Sequence, residues 1–541
     1  MKTYKGKEER TIGHIVEDKA ATHGDRTFMF FKDVKYSYKK LHEESNRVAN
    51  ALKDMGVSVG DKIVTILPNF PEYLYIWWGI VKLGALNVPI NNNYRGMGLV
   101  DVINRCDAKM AFVHEGLFLD RFRSTQNDLK QIQQVVVTHR LKDTPLTIEE
   151  HDLKFNSYCL KDLMSAPSDS PGIFVYNHYP ASIDYTSGTT GPPKGAVLSH
   201  EYFVYFAEHK AIHMETGPQD IIYNCLPMFN LTGEVETCFT AFIADAKFAL
   251  AETFNPKSFW DDIRKYNCTE FVSMGGVFSL VEKEPPKAND RDNPLKKMYI
   301  IPCPPDFEER IKKRFNIEHM IEIFGQTESG ISAYRDLRNP TLGSAGKPHC
   351  DYEIKIFDEH DNEVPPGTEG EIVIRPQKSH IILEEYYKMP DKTAEGMRSC
   401  WWHTGDLGRM DENNNLFFIR RKQECVRVRG YFTSTTDIEH AINSIEFVLE
   451  SAVYGVPDDL EDEEEVMAAI RLKKDAVLLP EDVLRHVEKN LPYYAVPRYV
   501  RFVTDFNKTP TMRIIKVDLQ KEGVIPGTWD RRKAGFKLSR N

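Results

Sequence analysis

Along the first third of the chain, helix-like stretches (Tyr38 to Met55, Phe70 to Leu83) alternate with short apolar runs (Lys62 to Leu67, Ala111 to Val113, Gln134 to Val137). That order predicts an α/β fold built on a largely parallel sheet. Gly56, Gly60 and Asp61 punctuate the first helix and hand over to a strand, and Gly84 followed by Asn87-Val88-Pro89-Ile90 does the same for the second. Between Leu146 and Pro180 the pattern weakens into a polar stretch with Ser165-Ala166-Pro167-Ser168-Asp169-Ser170-Pro171-Gly172, which reads as a surface approach to the segment that follows. Helix and strand patterns then continue to about Arg335. From Gly343 to Arg375 the period becomes two, in Glu353-Ile354-Lys355-Ile356-Phe357 and Glu371-Ile372-Val373-Ile374-Arg375, predicting a small β lobe. Beyond Arg421, short helices (Asp437 to Ile445, Glu481 to Asn490) and strands (Ser451 to Val456, Ala468 to Leu472) predict a separate α+β domain of about 120 residues. The expected division is a large N-terminal body over 1–420 and a small, mobile C-terminal domain over 421–541.

Composition sets the bounds. A chain of 541 residues suggests three or four compact lobes at about 150 residues each. Its 41% apolar and 28% charged content is that of an ordinary globular protein. With 70 basic against 80 acidic residues the net charge is −10, which argues against a nucleic-acid coat or an anionic-membrane binder. The most charged run, Asp458 to Glu465, reads as a solvated loop. The most apolar windows, Tyr75 to Leu83 and Phe239 to Ala251, are too short or are broken by Asp245 and Lys247, so both read as core rather than as the roughly 20 residues a bilayer requires. Nine scattered cysteines, with no Cys-x-x-Cys pair, suit a reducing compartment and offer no cysteine zinc site. The polar opening Met1 to Arg10 lacks the apolar core of a secretory signal, so a cytoplasmic location is expected.

Chemistry concentrates in Tyr185-Thr186-Ser187-Gly188-Thr189-Thr190-Gly191-Pro192-Pro193-Lys194-Gly195, where three glycines, four hydroxyls and a lysine form a polyphosphate grip. Glycines let backbone N–H groups crowd an anion, hydroxyls donate further hydrogen bonds, and Lys194 brings charge. Lys194 is followed by Gly195, where a Walker A loop needs Ser or Thr, and no dinucleotide fingerprint lies nearby.

This segment closely resembles the signature of the acyl-adenylate-forming superfamily, which includes acyl-CoA synthetases, nonribosomal adenylation domains and beetle luciferases. Five further stretches match in the expected order: Leu226-Pro227-Met228-Phe229-Asn230, Phe324-Gly325-Gln326-Thr327-Glu328, Gly343-Ser344-Ala345-Gly346-Lys347-Pro348, Trp402-His403-Thr404-Gly405-Asp406 and Arg421-Lys422. The likeness spans almost the whole chain. Glu284-Pro285-Pro286-Lys287-Ala288-Asn289-Asp290 with Asn293-Pro294-Leu295 looks like the carnitine/crotonobetaine-CoA ligase branch.

The resemblance implies a two-step reaction. A carboxylate attacks the α-phosphorus of ATP, giving acyl-AMP and pyrophosphate; a thiol then attacks the acyl carbon and expels AMP. It implies ATP, Mg²⁺ and coenzyme A as the small-molecule partners, besides a carboxylic acid. Thr186, Ser187, Gly188, Thr189, Thr190, Gly191 and Lys194 would hold the β- and γ-phosphates, and Glu328 would ligate Mg²⁺ beside Thr327. Phe324 would cover the adenine face, with Gln326 in the same motif, and Asp406 and Arg421 would take the ribose hydroxyls. Tyr299 to Pro305 would form a second adenine wall, in which Cys303 and the prolines depart from the small residues usual in the family.

Other departures bear on catalysis. Asn230 stands where many relatives carry histidine, leaving an amide donor but no imidazole. Thr511-Met512-Arg513 occupies the place of the family's adenylation lysine, so Arg513 would carry that charge, with Lys516 as second candidate. Gln423 fills the pivot position, where relatives have Asp or Lys. Arg427, Arg429 and Gly430 resemble the segment that swings in for the thiol step, where a basic pair can meet CoA phosphates, and Glu439 follows on the next helix.

The acyl pocket would lie between Leu231 to Thr240 and Phe271 to Phe278, with room left by Gly275 and Gly276. Glu234 and Glu236 are unexpected acids there, and two readings stand: helix-surface carboxylates, or an anion that offsets a cationic group of the substrate with aromatic help from Phe229 or Phe239. The leading expectation is an ATP- and Mg²⁺-dependent carboxylic acid–CoA ligase. Transfer to a carrier-protein thiol, and a nucleotide-binding protein with impaired catalysis, are the alternatives. The sequence leaves a homodimer open.

Overall fold

The computed structural model describes residues 2–139, 152–186, 193–422, 425–428, 431–457, 464–491, 493–509 and 512–538. Two large sheets carry the body. One runs Glu385–Tyr386, Lys194–Ser199, Pro180–Thr186, Leu86–Pro89, Lys62–Ile66, Met110–His114, Gln134–Thr138, Asn156–Cys159. Its inner strands are parallel, as the alternation predicts, and only the hairpin Pro180–Thr186/Lys194–Ser199 and the short edge strand Glu385–Tyr386 run antiparallel. The other sheet runs His319–Ile321, Lys297–Ile301, Glu270–Met274, Ile221–Asn224, Lys247–Leu250, Thr27–Phe31, Val34–Ser37, parallel throughout except at its last pair.

Helices join the sheets into one core. Tyr38–Asp54 begins where the Ser37 hydroxyl accepts from Lys40 N–H, and it buries the stripe Leu41, Ser45, Val48, Ala49, Leu52. Glu72–Lys82 is buried on every side, because its sequence is apolar all round. Trp77 packs at 6.1 Å from Phe203 and 6.0 Å from Phe239, and Trp78 at 4.8 Å from Phe242. Each such ring contributes about 2–3 kcal/mol by leaving water. His200–His213 starts at the end of the phosphate-loop hairpin, with Ser199 as its N-cap, and lies nearly wholly buried. Both apolar windows, Tyr75 to Leu83 and Phe239 to Ala251, are core rather than spans, and no helix among the described residues is long and apolar enough to cross a membrane.

The β lobe is larger than its two alternating runs suggest. Tyr352–Phe357 and Gly370–Pro376 pair antiparallel, and Trp401–Met410 and Leu416–Arg421 extend the same sheet. After it, Val448–Pro457, Glu464–Leu472, Tyr499–Phe502 and Trp529–Asp530 form a four-stranded sheet with the helices Thr435–Asn443 and Pro480–Asn490 and a core of its own around Val453, Ile470 and Leu484.

Two expectations change. The polar stretch before Pro180 contains the edge strand Asn156–Cys159 and the short helix Leu160–Leu163; only one side of each is covered, so the apolar signal is halved. Glu465, assigned to a solvated loop, is buried in a strand and bonded to Arg532, with Arg498 at 3.8 Å, because its charge is paired rather than hydrated. Residues 458–463 of that run lie outside the described residues.

Candidate functional site

The phosphate loop is the turn of the hairpin Pro180–Thr186/Lys194–Ser199, so its two ends are fixed by sheet pairing, Thr186 opposite Lys194. The Thr186 hydroxyl donates to the Lys194 carbonyl at 3.3 Å. Ser187, Gly188, Thr189, Thr190 and Gly191 lie outside the described residues. Lys194 Nζ stands 4.4 Å from the centroid of the Tyr386 ring, a cation–π contact, and the Tyr386 hydroxyl donates to Glu328 Oε1 at 2.7 Å. Burial and the Glu328 charge push the Tyr386 phenol well above its ordinary value, so it remains a donor at neutral pH.

Glu328 sits in the turn of a second hairpin, Ile323–Gln326 with Gly330–Tyr334. Three contacts hold that turn: Ser329 N–H to Gln326 C=O at 3.2 Å, the Tyr202 hydroxyl to Thr327 C=O at 2.9 Å, and Leu383 N–H to Glu328 C=O at 2.7 Å. The same hairpin reaches the residues expected to take the ribose. Gln326 Nε2 donates to Asp406 Oδ2 at 2.8 Å and to Thr404 C=O at 2.8 Å, and Trp402 Nε1 donates to Gln326 Oε1 at 3.4 Å. Asp406, buried, pairs in register with Arg421, whose Nε is 3.6 Å from Asp406 Oδ1. Phe324 is buried, its ring 6.3 Å from that of half-buried Phe418. Cys303, in the expected adenine wall, is also buried, its thiol 3.9 Å from Glu308 Oε2, so it faces the core.

On the acyl side, the Asn230 side-chain carbonyl accepts from Thr232 N–H at 3.0 Å and so caps the helical segment that follows. Thr232–Phe239 is a π-helix, with the Thr240 hydroxyl donating to Val235 C=O at 2.8 Å. Gly233 is required there: a Cβ would fall 2.4 Å from the Pro227 carbonyl oxygen. Glu234 and Glu236 leave this helix on opposite sides. Both are buried, which overturns the helix-surface reading.

Glu234 Oε1 accepts from the Tyr73 hydroxyl at 3.2 Å and from Asn87 Nδ2 at 3.4 Å. Burial and the charge of Asp184 push it well above the carboxylate range, and burial pushes Asp184 to about 7. Glu236 accepts from the Thr232 hydroxyl at 3.5 Å with Tyr299 beside it, and burial pushes it to about 7. Phe239 is packed against Trp77 within the core, which leaves half-buried Phe229 as the aromatic of that segment nearer the surface. Gly275 and Gly276 open the helix Gly275–Glu282 directly after the strand Glu270–Met274.

Between the strand Tyr499–Phe502 and the helix Lys516–Glu522, Arg513 is exposed and its carbonyl accepts from Thr509 N–H at 2.7 Å. Lys516 is engaged otherwise, 2.7 Å from Glu439 Oε1 and 3.1 Å from the Thr435 hydroxyl. Arg427 lies in the strand Cys425–Val428; Gln423, Arg429 and Gly430 lie outside the described residues.

The structure thus brings Lys194, Glu328, Gln326, Asp406 and Arg421 into one connected array, while Asn230, Glu234 and Arg513 belong to separate contacts. Sequence reasoning missed Tyr386, Tyr202, Phe418 and Asp184, and it gave Trp402, though within a matched motif, no role of its own. Tyr386 shows only as half of an aromatic pair after two glutamates, and Tyr202 as one of several aromatics on a buried helix.

Comparison with known proteins places these residues in context. The family model described as AMP-binding enzyme matches residues 16–387, and that described as AMP-binding enzyme C-terminal domain matches residues 437–513. The chain is 28% identical over 524 residues to a crotonobetaine/carnitine–CoA ligase of Proteus mirabilis (strain HI4320), covering 93% of this chain and 98% of the relative. It is 27% identical over 517 residues to the protein of that name from Escherichia coli (strain SE11), with the same coverage. Among solved structures, an anthranilate CoA ligase, AuaEII, in complex with anthranoyl-AMP superposes with a TM-score of 0.83 at 22% identity, covering 95% of this chain and 97% of that one. ATP-bound MatB from Rhodopseudomonas palustris gives 0.80 at 22%, covering 94% and 98%.

Proposed function

The chain belongs to the AMP-binding enzyme family, and on that premise we propose that it is an ATP-dependent carboxylic acid–CoA ligase. The acid is activated as acyl-AMP with release of pyrophosphate, and the acyl group then passes to the thiol of coenzyme A. One observation carries the reading. A single hairpin holds Gln326 on Asp406 at its ribose end and Glu328 on Tyr386, whose ring carries Lys194, at its phosphate end. It therefore fixes the distance between nucleoside and triphosphate before ATP arrives, the kind of preorganisation that stabilises charge in transfer at phosphorus.

Each residue has a role in this reading. Lys194 and the loop from Thr186 hold the phosphates that leave, and Asp406, Arg421 and Phe324 hold the nucleoside. Glu328 keeps a carboxylate oxygen beyond the one Tyr386 bonds, a hard donor next to the Thr327 hydroxyl, and this set fits Mg²⁺. When bound, the ion would supply positive charge against the phosphate oxygens. Arg513 supplies the adenylation cation, since Lys516 is held by Glu439. Arg427, Arg429 and Gly430 serve the thiol step.

The buried Glu234–Asp184 pair holds at least one proton at neutral pH, so it gives the acyl side a polar floor whose charge can adapt to the substrate. The relatives' names put crotonobetaine and carnitine on the substrate panel beside short neutral acids. The division into a body over 1–420 and a mobile small domain over 421–541 belongs to the same proposal, as does a cytoplasmic location. Eight of the nine cysteines, Cys106 to Cys400 in the chain, are free thiols, which suits a reducing compartment.

ATP–pyrophosphate exchange across a panel of acids tests the first half-reaction, and thioester formation with CoA the second. Exchange with an acid but no CoA thioester would turn the reading toward carrier loading. ATP binding without exchange on any acid would turn it toward a nucleotide-binding protein.

A further inference from the structure

Toward the C-terminal end of the helix His200–His213, His209, His213 and His349 line a cleft of about 740 Å³, and the Asp351 carboxylate lies 4.0 Å from His349 Nδ1. His209 and His213 are one turn apart on that helix, and His349 and Asp351 follow the strand Lys347–Pro348, which pairs with Gly330–Tyr334. One ring nitrogen of His209, one of His349 and a carboxylate oxygen of Asp351 lie within 4.8 Å of one another. Nitrogens and oxygens sharing a tetrahedral ion with bonds of about 2.0 Å sit about 3.3 Å apart, so each side chain would move by less than about 1 Å to close on one. We propose that His209, His349 and Asp351 form a binding site for a divalent transition-metal ion of the zinc type, separate from the Mg²⁺ of the nucleotide.

Several features of the cluster fit that assignment. The His209 and His349 rings cross at 68° with centroids 4.2 Å apart, and the His213 ring is 5.3 Å from that of His349. His213 stacks on Tyr334 at 3.8 Å, and its Nε2 is buried with no hydrogen-bond partner, an orphan that a metal ion or its bound water would satisfy. The Tyr205 hydroxyl reaches both His349 Nδ1, at 2.8 Å, and Asp351 Oδ2, at 2.9 Å, and holds the two ligands in place. Two imidazoles and a carboxylate are a set that zinc, cobalt or nickel accepts and that Mg²⁺ does not favour. The remaining contact on Asp351 is a cation already: Lys378 Nζ lies 2.9 Å from Oδ2 on a side chain 55% exposed, so it can swing out to water.

The test uses the untagged full-length chain, stripped with chelator and titrated with Zn²⁺ in competition with a chromophoric chelator, under saturating Mg²⁺. The expected result is one equivalent bound per chain. His209→Gln and His349→Gln should each weaken it by more than about 10-fold, and Co²⁺ at the site should give the visible absorption of a four- or five-coordinate ion. Lys378→Met, at a position 55% exposed, should tighten binding because the competing ammonium is gone. Absence of a bound equivalent, or affinity indifferent to both histidine variants, overturns the proposal. Should those variants fail to fold, weaker or unchanged binding in Lys378→Met overturns it alone.

Discussion

Replacing Glu236 by Gln should stabilise the protein at neutral and alkaline pH and leave it unchanged in acid. Glu236 is buried, one oxygen at 3.5 Å from the Thr232 hydroxyl and the other without a hydrogen-bond partner. The nearest ammonium, Lys210, is committed elsewhere, 2.5 Å from Glu270. Burial pushes Glu270 up, but Lys210, Lys297 and the Thr216 hydroxyl outweigh it and hold that carboxyl below its ordinary value. At Glu236 burial outweighs the opposing pull of Lys210, Tyr299 and the Thr232 hydroxyl, and the carboxyl rises from 4.5 to about 7.

The sign follows from proton uptake. Below pH 4.5 both folded and unfolded chains hold the proton; between 4.5 and about 7 only the folded chain does, so rising pH favours unfolding. The cost grows by about 1.4 kcal/mol per pH unit and levels off at about 3–4 kcal/mol, about 2.5 units times that slope. Glutamine keeps the shape and does not titrate. The difference in guanidinium midpoint between Glu236→Gln and the parent should therefore open across this window, with the variant ahead at its upper end. The parent should also show an infrared band of a protonated carboxyl near pH 6 that the variant lacks. A difference flat from pH 4.5 to pH 8 would mean that Glu236 is ionised throughout, and the burial argument would fail.

Other outcomes follow from single contacts. Tyr386→Phe removes a hydrogen bond to a carboxylate, worth about 1.5–3 kcal/mol, so pyrophosphate exchange should slow by about 10- to 100-fold and need more Mg²⁺; an unchanged rate would detach Tyr386 from the site. Asp406→Asn should raise KM for ATP by about 10-fold or more, because the partner of Arg421 loses its charge; nucleotide titration checks it. Arg513→Ala should abolish exchange but leave thioester formation from supplied acyl-AMP intact, whereas Lys516→Ala should chiefly lower the thermal midpoint, since Lys516 is tied to Glu439. Gly346→Ala would place a Cβ 1.9 Å from the Tyr334 carbonyl at a φ of +97°, and should destabilise by more than about 3 kcal/mol in denaturant.

Much of the fold was legible because its helices and inner strands carry one-sided or continuous apolar patterns. Tyr38 to Met55 lies within a residue of the observed helix, and Lys62 to Leu67 of its strand. Asn156–Cys159 escaped because an edge strand shows only half a pattern, and Glu465 misled because a buried charge and a solvated one read alike until Arg532 is in place. At the site, residues in contiguous motifs could be named in advance. Tyr386 and Tyr202 could not, since each reaches a backbone or carboxylate more than 50 positions away through a single hydroxyl. The fates of Glu234 and Glu236 escaped because a carboxylate on a wholly buried helix reads like one on a helix surface until Tyr73, Asn87 and Thr232 are in place.

Trp402 gives the molecule a built-in optical gauge. Of the six tryptophans, it alone bonds the Gln326 side chain that spans to Asp406, and its indole lies 5.9 Å from the Tyr386 ring. It is buried, so its emission reports local polarity and quenching rather than bulk solvent. A nucleotide that draws on Asp406, or a cation that draws on Glu328, must tug one end or the other of the chain of contacts in which this indole sits. Stopped-flow emission of the parent against a Trp402→Phe control could then time nucleotide arrival without any label.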